Sequence, residues 1–278
     1  MKADKVPKVW KILGICVLVY GTIMLFLCIV WYRGIFKGSF TFFDDSLEWL
    51  QMDKAGHFFA SFHVSRWLIQ ILTWQKVDQK SAAKIGVWGG MIFVTPIEVL
   101  DGFSHAYGFS WTDLLANLCG CLFLLIQLSL FDKMRFLPKF SFQLSPFAAI
   151  RKEMFGSFLL SNILKDYNGQ TYWLSFSPNM LLKKKLFPEW LLLSVGYGVD
   201  NVLGGHDNVW QKDNKLFDFS HLPRTRQIYF SLDVTLQHLK FDNRFMKFIR
   251  LAFSCLKMPF PAVVFSREKG FYISYLGF

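Results

Sequence analysis

The sequence predicts an α+β membrane protein: an N-terminal bundle of about four transmembrane or membrane-associated helices, then a β-rich antiparallel C-terminal region. Three observations predict it. Charged residues make up 18% of the chain against 53% apolar, below the quarter or so usual for a soluble domain, so part of the surface is expected to face lipid. Apolar runs of near-spanning length recur before residue 140. Beyond residue 140 the pattern changes to alternation with a period of two. The expected division is 1–140, helical, and 141–278, β-rich with one amphipathic helix.

Lys2, Lys5, Lys8 and Lys11 precede the first apolar run, Ile12 to Trp31. It lacks the short core and small-residue cleavage site of a signal peptide, so it reads as a retained helix. Residues 33–52, with Phe40, Phe42, Phe43, Asp44, Asp45, Glu48 and Trp49, suit an interfacial segment. A second run, Ala55 to Trp74, is interrupted by His57, His63 and Arg66; a third spans about Ala82 to Leu100 and a fourth about Leu114 to Leu130. Lys76, Lys80 and Lys84 separate the second from the third, Lys133, Arg135 and Lys139 follow the fourth, and no Lys or Arg lies between the third and fourth. That alternation obeys the positive-inside rule with both ends cytoplasmic. The net charge of +11 therefore belongs to loops, and nucleic acid is excluded as a partner. Membrane lipid and an envelope protein are the partners expected.

With this topology three separate stretches reach one membrane face. Asp53, Lys54 and His57 open helix two, Glu98 and Asp101 close helix three, and Asp113 and Asn117 open helix four. Asp53 and His57 are four apart, as are Asp113 and Asn117, so each pair shares a helix face. An ionised acid in hydrocarbon costs roughly 2.5–3.5 kcal/mol, so Glu98 and Asp101 need partners, and Lys54 and His57 are the nearest by topology. The candidate catalytic residues are His57, Glu98, Asp101 and Asp113, with His57 able to exchange a proton near neutral pH. Candidate binding residues are Asp53, Lys54, Ser104, His105, Ser110 and Asn117, with Lys54 placed to hold an anionic headgroup. The structural alternative is a helix cap, a snorkelling Lys and an ion pair tying helix two to helix three. No HExxH or Cys/His spacing marks a metal site, and no phosphate loop, nucleotide fingerprint or GxSxG elbow marks a cofactor or nucleophile, so none is expected. Cys16, Cys28, Cys119, Cys121 and Cys255 read as small buried hydrophobes.

In the second half Tyr172–Phe176, Trp190–Asp200, Gln227–Leu236, Ala262–Phe265 and Phe271–Phe278 are strand candidates, and Phe245–Leu256 an amphipathic helix. Gly204 to Leu222 reads as a polar loop, Asn168-Gly169 as a two-residue turn before a strand, and Lys183-Lys184-Lys185 as solvated surface. The strands either form a small sheet on the membrane surface or face lipid, as the alternating aromatics running to Phe278 allow.

Several strings resemble a known family. They are Glu48-Trp49-Leu50-Gln51-Met52-Asp53-Lys54-Ala55-Gly56-His57, Glu98-Val99-Leu100-Asp101-Gly102-Phe103-Ser104, Gly108-Phe109-Ser110-Trp111-Thr112-Asp113, Lys165 to Ser175 and Tyr229-Phe230-Ser231-Leu232-Asp233. They are similar to an uncharacterised bacterial family of periplasmic or envelope proteins grouped with the YfiM lipoprotein. More distantly, Asp53-Lys54-x-x-His57-Phe58, Glu98 and Asp113-x-x-x-Asn117-x-x-Gly120 resemble VanZ-like membrane proteins. Those proteins tend to carry Gln where this chain has Asp101, and their Arg before the Asp has no counterpart between Gly102 and Thr112. The wider group's association with glycopeptide tolerance implies envelope biology. Two functions are expected. One is a structural or binding component of cell-envelope maintenance, in a multi-pass inner membrane or alternatively the outer membrane. The other is a membrane enzyme doing acid/base chemistry on an envelope lipid or lipid-linked glycan.

Overall fold

The computed structural model describes residues 18–29, 32, 39–105, 107–131, 134–182 and 185–276. The chain is α+β, helical in its N-terminal half and built on an antiparallel sheet in its C-terminal half. It divides into two compact units, one of Met1–Phe43 with Val99–Phe109, the other of Asp44–Glu98 with Ser110–Phe278.

In the first unit Leu18–Ile29 are helical (α1), with Leu18, Leu25 and Ile29 exposed. Residues 12–17, 30 and 31 of the expected first helix, and 33–38 of the interfacial segment, lie outside the described residues. Phe42 bridges Phe109, and Thr41 N donates to Gly102 O at 2.9 Å. The rings of Phe40, Phe42, Phe103 and Phe109 pack edge to face or tilted around this bridge.

The helices of the second unit start and stop close to the apolar runs that predict them. They are α2, Met52–Trp74; α3, Gln79–Gly102, whose last four residues belong to the first unit; and α4, Trp111–Phe131. Small residues let the helices approach one another. A Cβ on Gly120 of α4 would lie 2.2 Å from Phe58 O on α2, and one on Gly90 of α3 would lie 1.9 Å from Ser65 Oγ on α2. Of the cysteines, Cys121 is buried as expected, but Cys119 is exposed, because it falls on the outward face of α4.

Just before α2 the chain makes a tight turn, Glu48–Gln51. Trp49 (φ 50°), Leu50 (φ 51°) and Gln51 (φ 64°) are all left-handed. Each such non-glycine residue costs roughly 1–2 kcal/mol. The turn is held by Trp49 N to Gly205 O at 2.8 Å, Gln51 Nε2 to Ser46 O at 2.9 Å, Arg226 Nη2 to Gln51 Oε1 at 2.6 Å and Tyr197 OH to Leu50 O. Trp49 also packs between Phe155 and Tyr167.

Six strands form one antiparallel sheet: β1 (Phe136–Phe142), β2 (Gln170–Phe176), β3 (Leu191–Asp200), β6 (Thr225–Val234), β7 (Ala262–Ser266) and β8 (Gly270–Ser274), in the order β1-β2-β3-β6-β7-β8. Five of these match the strands read from alternation, within a few residues at each end, and residues 277–278 lie outside the description. β1 has no counterpart there, because Phe136-Leu137-Pro138 is apolar at three successive positions; Pro138 is tolerated on an edge strand. Gly204–Leu222 is not simply a loop. It holds a hairpin, β4 (Val209–Lys212) with β5 (Lys215–Asp218), turned by Asp213 and Asn214 in left-handed conformation. Asn168-Gly169 does turn the chain into β2, but from the helix Leu159–Lys165 rather than from a partner strand. The amphipathic helix is Arg244–Phe253, capped by the Asn243 side chain.

The alternation hides a reversal. In β6 the apolar positions Phe230 and Leu232 are exposed, while Gln227, Tyr229 and Asp233 are buried. The register extends this across the sheet. Pro138, Leu174, Val195, Phe230, Val263 and Ile273 are cross-strand partners in one outward row. Inward lie Lys139, Ser175, Ser194 and Asp233: Lys139 Nζ meets Asp233 Oδ2 at 2.7 Å, Ser175 Oγ donates to the same oxygen at 2.8 Å, and Ser175 and Ser194 share a bond of 2.6 Å. Lys257 Nζ donates to Leu232 O at 2.7 Å, and Trp173 Nε1 to Ser141 Oγ at 2.8 Å. β1 and β6 are three strands apart, which in a flat sheet is about 14 Å, so the Lys139–Asp233 contact requires the sheet to curl on itself. The curl is nearly closed, since Phe140 N donates to Cys255 O and Lys257 N to Phe140 O, both at 2.8 Å, binding the free edge of β1 to the chain that enters β7.

Candidate functional site

α2 begins with Asp53, Lys54 and, one turn on, His57, and the left-handed turn before it sets where they point. α4 begins after Ser110, whose Oγ accepts from Asp113 N at 3.1 Å, an N-cap. Glu98 comes from α3, two residues after Pro96, which has no N–H to continue the helical bonding.

These elements bring Asp53, Lys54, His57, Glu98, Ser110 and Asp113 together. Lys54 Nζ lies 2.5 Å from Asp113 Oδ1, 2.8 Å from Asp45 Oδ2 and 3.1 Å from Asp53 Oδ2. An ammonium has three donors, and each points at a carboxylate here. Lys54 is thus ion-paired inside the protein. His57 Nδ1 lies 3.1 Å from Glu98 Oε1, while Nε2 faces Asp53 Oδ1 at 3.6 Å and Asp113 Oδ2 at 3.9 Å. Glu98 is wholly buried and forms the floor; the side chains of His57 and Asp53 are 17% and 24% exposed and form the mouth.

Three further residues belong to the cluster, and the sequence reading missed them. Asp45 accepts from Ser110 Oγ at 2.6 Å and Thr112 Oγ1 at 2.8 Å, and Tyr167 OH donates to Asp53 Oδ1 at 2.8 Å. The resemblance pointed to two of them, since its strings contain Thr112 and Tyr167 but not Asp45. Asn117 is fully buried one turn beyond Asp113. Asp101, Ser104 and His105 belong to the first unit: Asp101 accepts from Tyr32 OH at 2.7 Å, Ser104 Oγ accepts from Tyr107 N at 3.2 Å, and His105 is exposed.

Asp45 shows how the cluster treats charge. Burial alone would push its carboxyl up, but hydrogen bonds with Asp113, Lys54 and Ser110, with the Lys54 charge, bring it from the usual 3.8 down to about 2. A depressed folded-state value means stability that is present above pH 3.8 and lost as pH falls through about 2. Wild-type protein is therefore expected to lose stability over that window in acid denaturation. The Asp45→Asn variant, less stable at neutral pH, should show a flatter curve there; equal slopes would refute the assignment.

Four carboxylates, Asp45, Asp53, Glu98 and Asp113, surround one ammonium and one imidazole. Asp53, His57 and Asp113 offer ligand atoms that all lie within 4.8 Å of one another, the donor set of a divalent cation, with Glu98 fixing the imidazole from behind. Lys54 already supplies Asp113 with a counter-charge. Chemically the arrangement can hold a cation at its mouth or pass a proton through His57.

Residues 41–129 match the model of a family described as predicted periplasmic lipoprotein (DUF2279), an uncharacterised envelope family. The match takes in every charged residue of the cluster and stops short of the resembling strings at 165–175 and 229–233. No curated protein and no solved structure matches the chain.

Proposed function

We propose, from this envelope family and the geometry around His57, that the chain is an integral component of the cell envelope that binds the cationic headgroup of an envelope lipid. Support for membrane integration comes from α3 and α4, which have the length and apolarity to cross a bilayer. At 1.5 Å per residue they are about 36 and 32 Å long, against a hydrocarbon core of about 30 Å. Only 33% and 28% of their most apolar stretches are buried, and Trp88, Ile92, Ile126 and Leu130 are exposed.

The observation that carries the binding reading is the excess of carboxylates at a partly open mouth. Opposite charge at short range in a half-buried setting favours a cation over an anion. Native mass spectrometry of the protein in mixed phosphatidylethanolamine and phosphatidylglycerol is expected to show retention of the amine-bearing lipid, weakened in Asp53→Asn. Equal retention of both lipids, unchanged in the variant, would end this reading.

A second reading is favoured by the His57–Glu98 contact. A buried carboxylate on one imidazole nitrogen, with the other turned to the mouth, is how a general base is oriented. On that reading the chain is an enzyme acting on an envelope lipid or lipid-linked glycan. In the same experiment it requires a product mass that Glu98→Gln abolishes while lipid retention persists.

A further inference from the structure

We propose that the outward face of β3, β6, β7 and β8 rests against the acyl chains of a lipid bilayer. A sheet with one face in water buries its apolar row and shows its polar one. Here the arrangement is reversed. The inward groups Lys139, Asp233, Ser175, Ser194 and Lys257 find their partners among themselves and with backbone carbonyls, so the interior is complete and needs no ligand. Outward, Val195 is 38% exposed, Phe230 48%, Val263 44% and Ile273 62%. The interior holds these satisfied polar groups beside a small cluster of Trp173, Tyr229, Ala262 and Val264, and an exterior more apolar than such an interior is the segregation found where hydrocarbon is the solvent.

Two further features choose lipid over a protein partner. First, the outer face is continuous with the helices proposed to span. Phe59 of α2 packs on Phe140 with ring centres 5.8 Å apart and on Tyr172 of β2 at 5.7 Å, and Phe123 of α4 packs on Phe136 at 6.3 Å, so the helices cover β1 and reach β2, while Phe230, Val263 and Ile273 beyond them stay exposed. Their own exposed apolar side chains and the bare strands therefore form one surface. Second, Leu193, Val195, Phe230, Leu232, Val263 and Ile273 line a shallow apolar hollow of about 610 Å³ on this face, which flexible acyl chains fill without needing a matching shape. β3 and β6 are ten residues long, the length of a tilted strand in a hydrocarbon core.

The inference rests on the chain being an integral membrane protein, and its test separates the two. Single cysteines are placed at Phe230, Val195, Ile126 on α4 and exposed Lys185, in full-length protein whose native cysteines are replaced. Each is labelled with a fluorescent thiol reagent after reconstitution in phosphatidylethanolamine and phosphatidylglycerol vesicles. Lipids brominated on the acyl chain are expected to quench the Phe230→Cys and Ile126→Cys labels, and aqueous iodide only Lys185→Cys. Should Phe230→Cys misfold, Val195→Cys reads the same face. Iodide quenching at the strand positions, with bromine quenching kept at Ile126, overturns the sheet's lipid contact alone. Loss of bromine quenching at Ile126 overturns the membrane reading itself. Disulfide-linked dimers through Phe230→Cys, without bromine quenching, would assign the face to a second copy and equally overturn the proposal.

Discussion

Asp233→Ala is expected to cost about 3–5 kcal/mol, the range for removing one partner of a buried ion pair. Lys139 and Asp233 are 1% and 0% exposed, and the carboxylate also accepts from Ser175 Oγ and from Met258 N at 3.2 Å. Its loss leaves the Lys139 ammonium inside the curl, close to Lys257, without the carboxylate it pairs with. Burial has already pushed Lys257 down to about 8. The measurement is chemical denaturation in detergent, followed by a probe of the sheet. The double variant Lys139→Met with Asp233→Leu should recover most of the loss, because the penalty lies in the orphaned charge rather than in the missing attraction. A single variant as stable as wild type would show that the curl does not depend on this pair.

The second large effect concerns Lys54→Ala. Three carboxylates lie within 3.1 Å of its Nζ, and without it they repel one another across the start of α2 and α4. The side chain is 14% exposed, so water screens part of the repulsion and the expected cost is about 3 kcal/mol, the low end of the buried-pair range. Lowering the pH should restore part of the loss, since protonation removes the repulsion. Adding Asp113→Asn should do the same at neutral pH. Destabilisation that neither change relieves would mean that Lys54 acts through packing of its stem.

Much of this was legible in the linear chain. The helices follow from runs of apolar residues, and Asp53, His57, Glu98 and Asp113 stood out because charge is costly there. Five strands followed from alternation. Which face of those strands is buried did not, because Phe230 and Asp233 alternate identically either way. Asp45 and Tyr167 were missed for another reason. Their contacts to Ser110 and Asp53 close loops of 65 and 114 residues, and no local pattern encodes such pairing. β1 escaped because Phe136-Leu137-Pro138 breaks the alternation, and its inward Lys139 is a charge that reads as loop until Asp233 is placed beside it.

The left-handed stretch Trp49–Gln51 has a consequence for how the molecule assembles. Besides the local bond to Ser46 O, the groups that keep it in place, Gly205 O, Arg226 and the Tyr197 hydroxyl, come from residues synthesised long after α4. An N-terminal fragment ending after α4 would carry every ionisable group of the His57 centre except the phenol of Tyr167, yet would lack these later groups. The centre therefore matures last, as a cooperative property of sequence-distant parts.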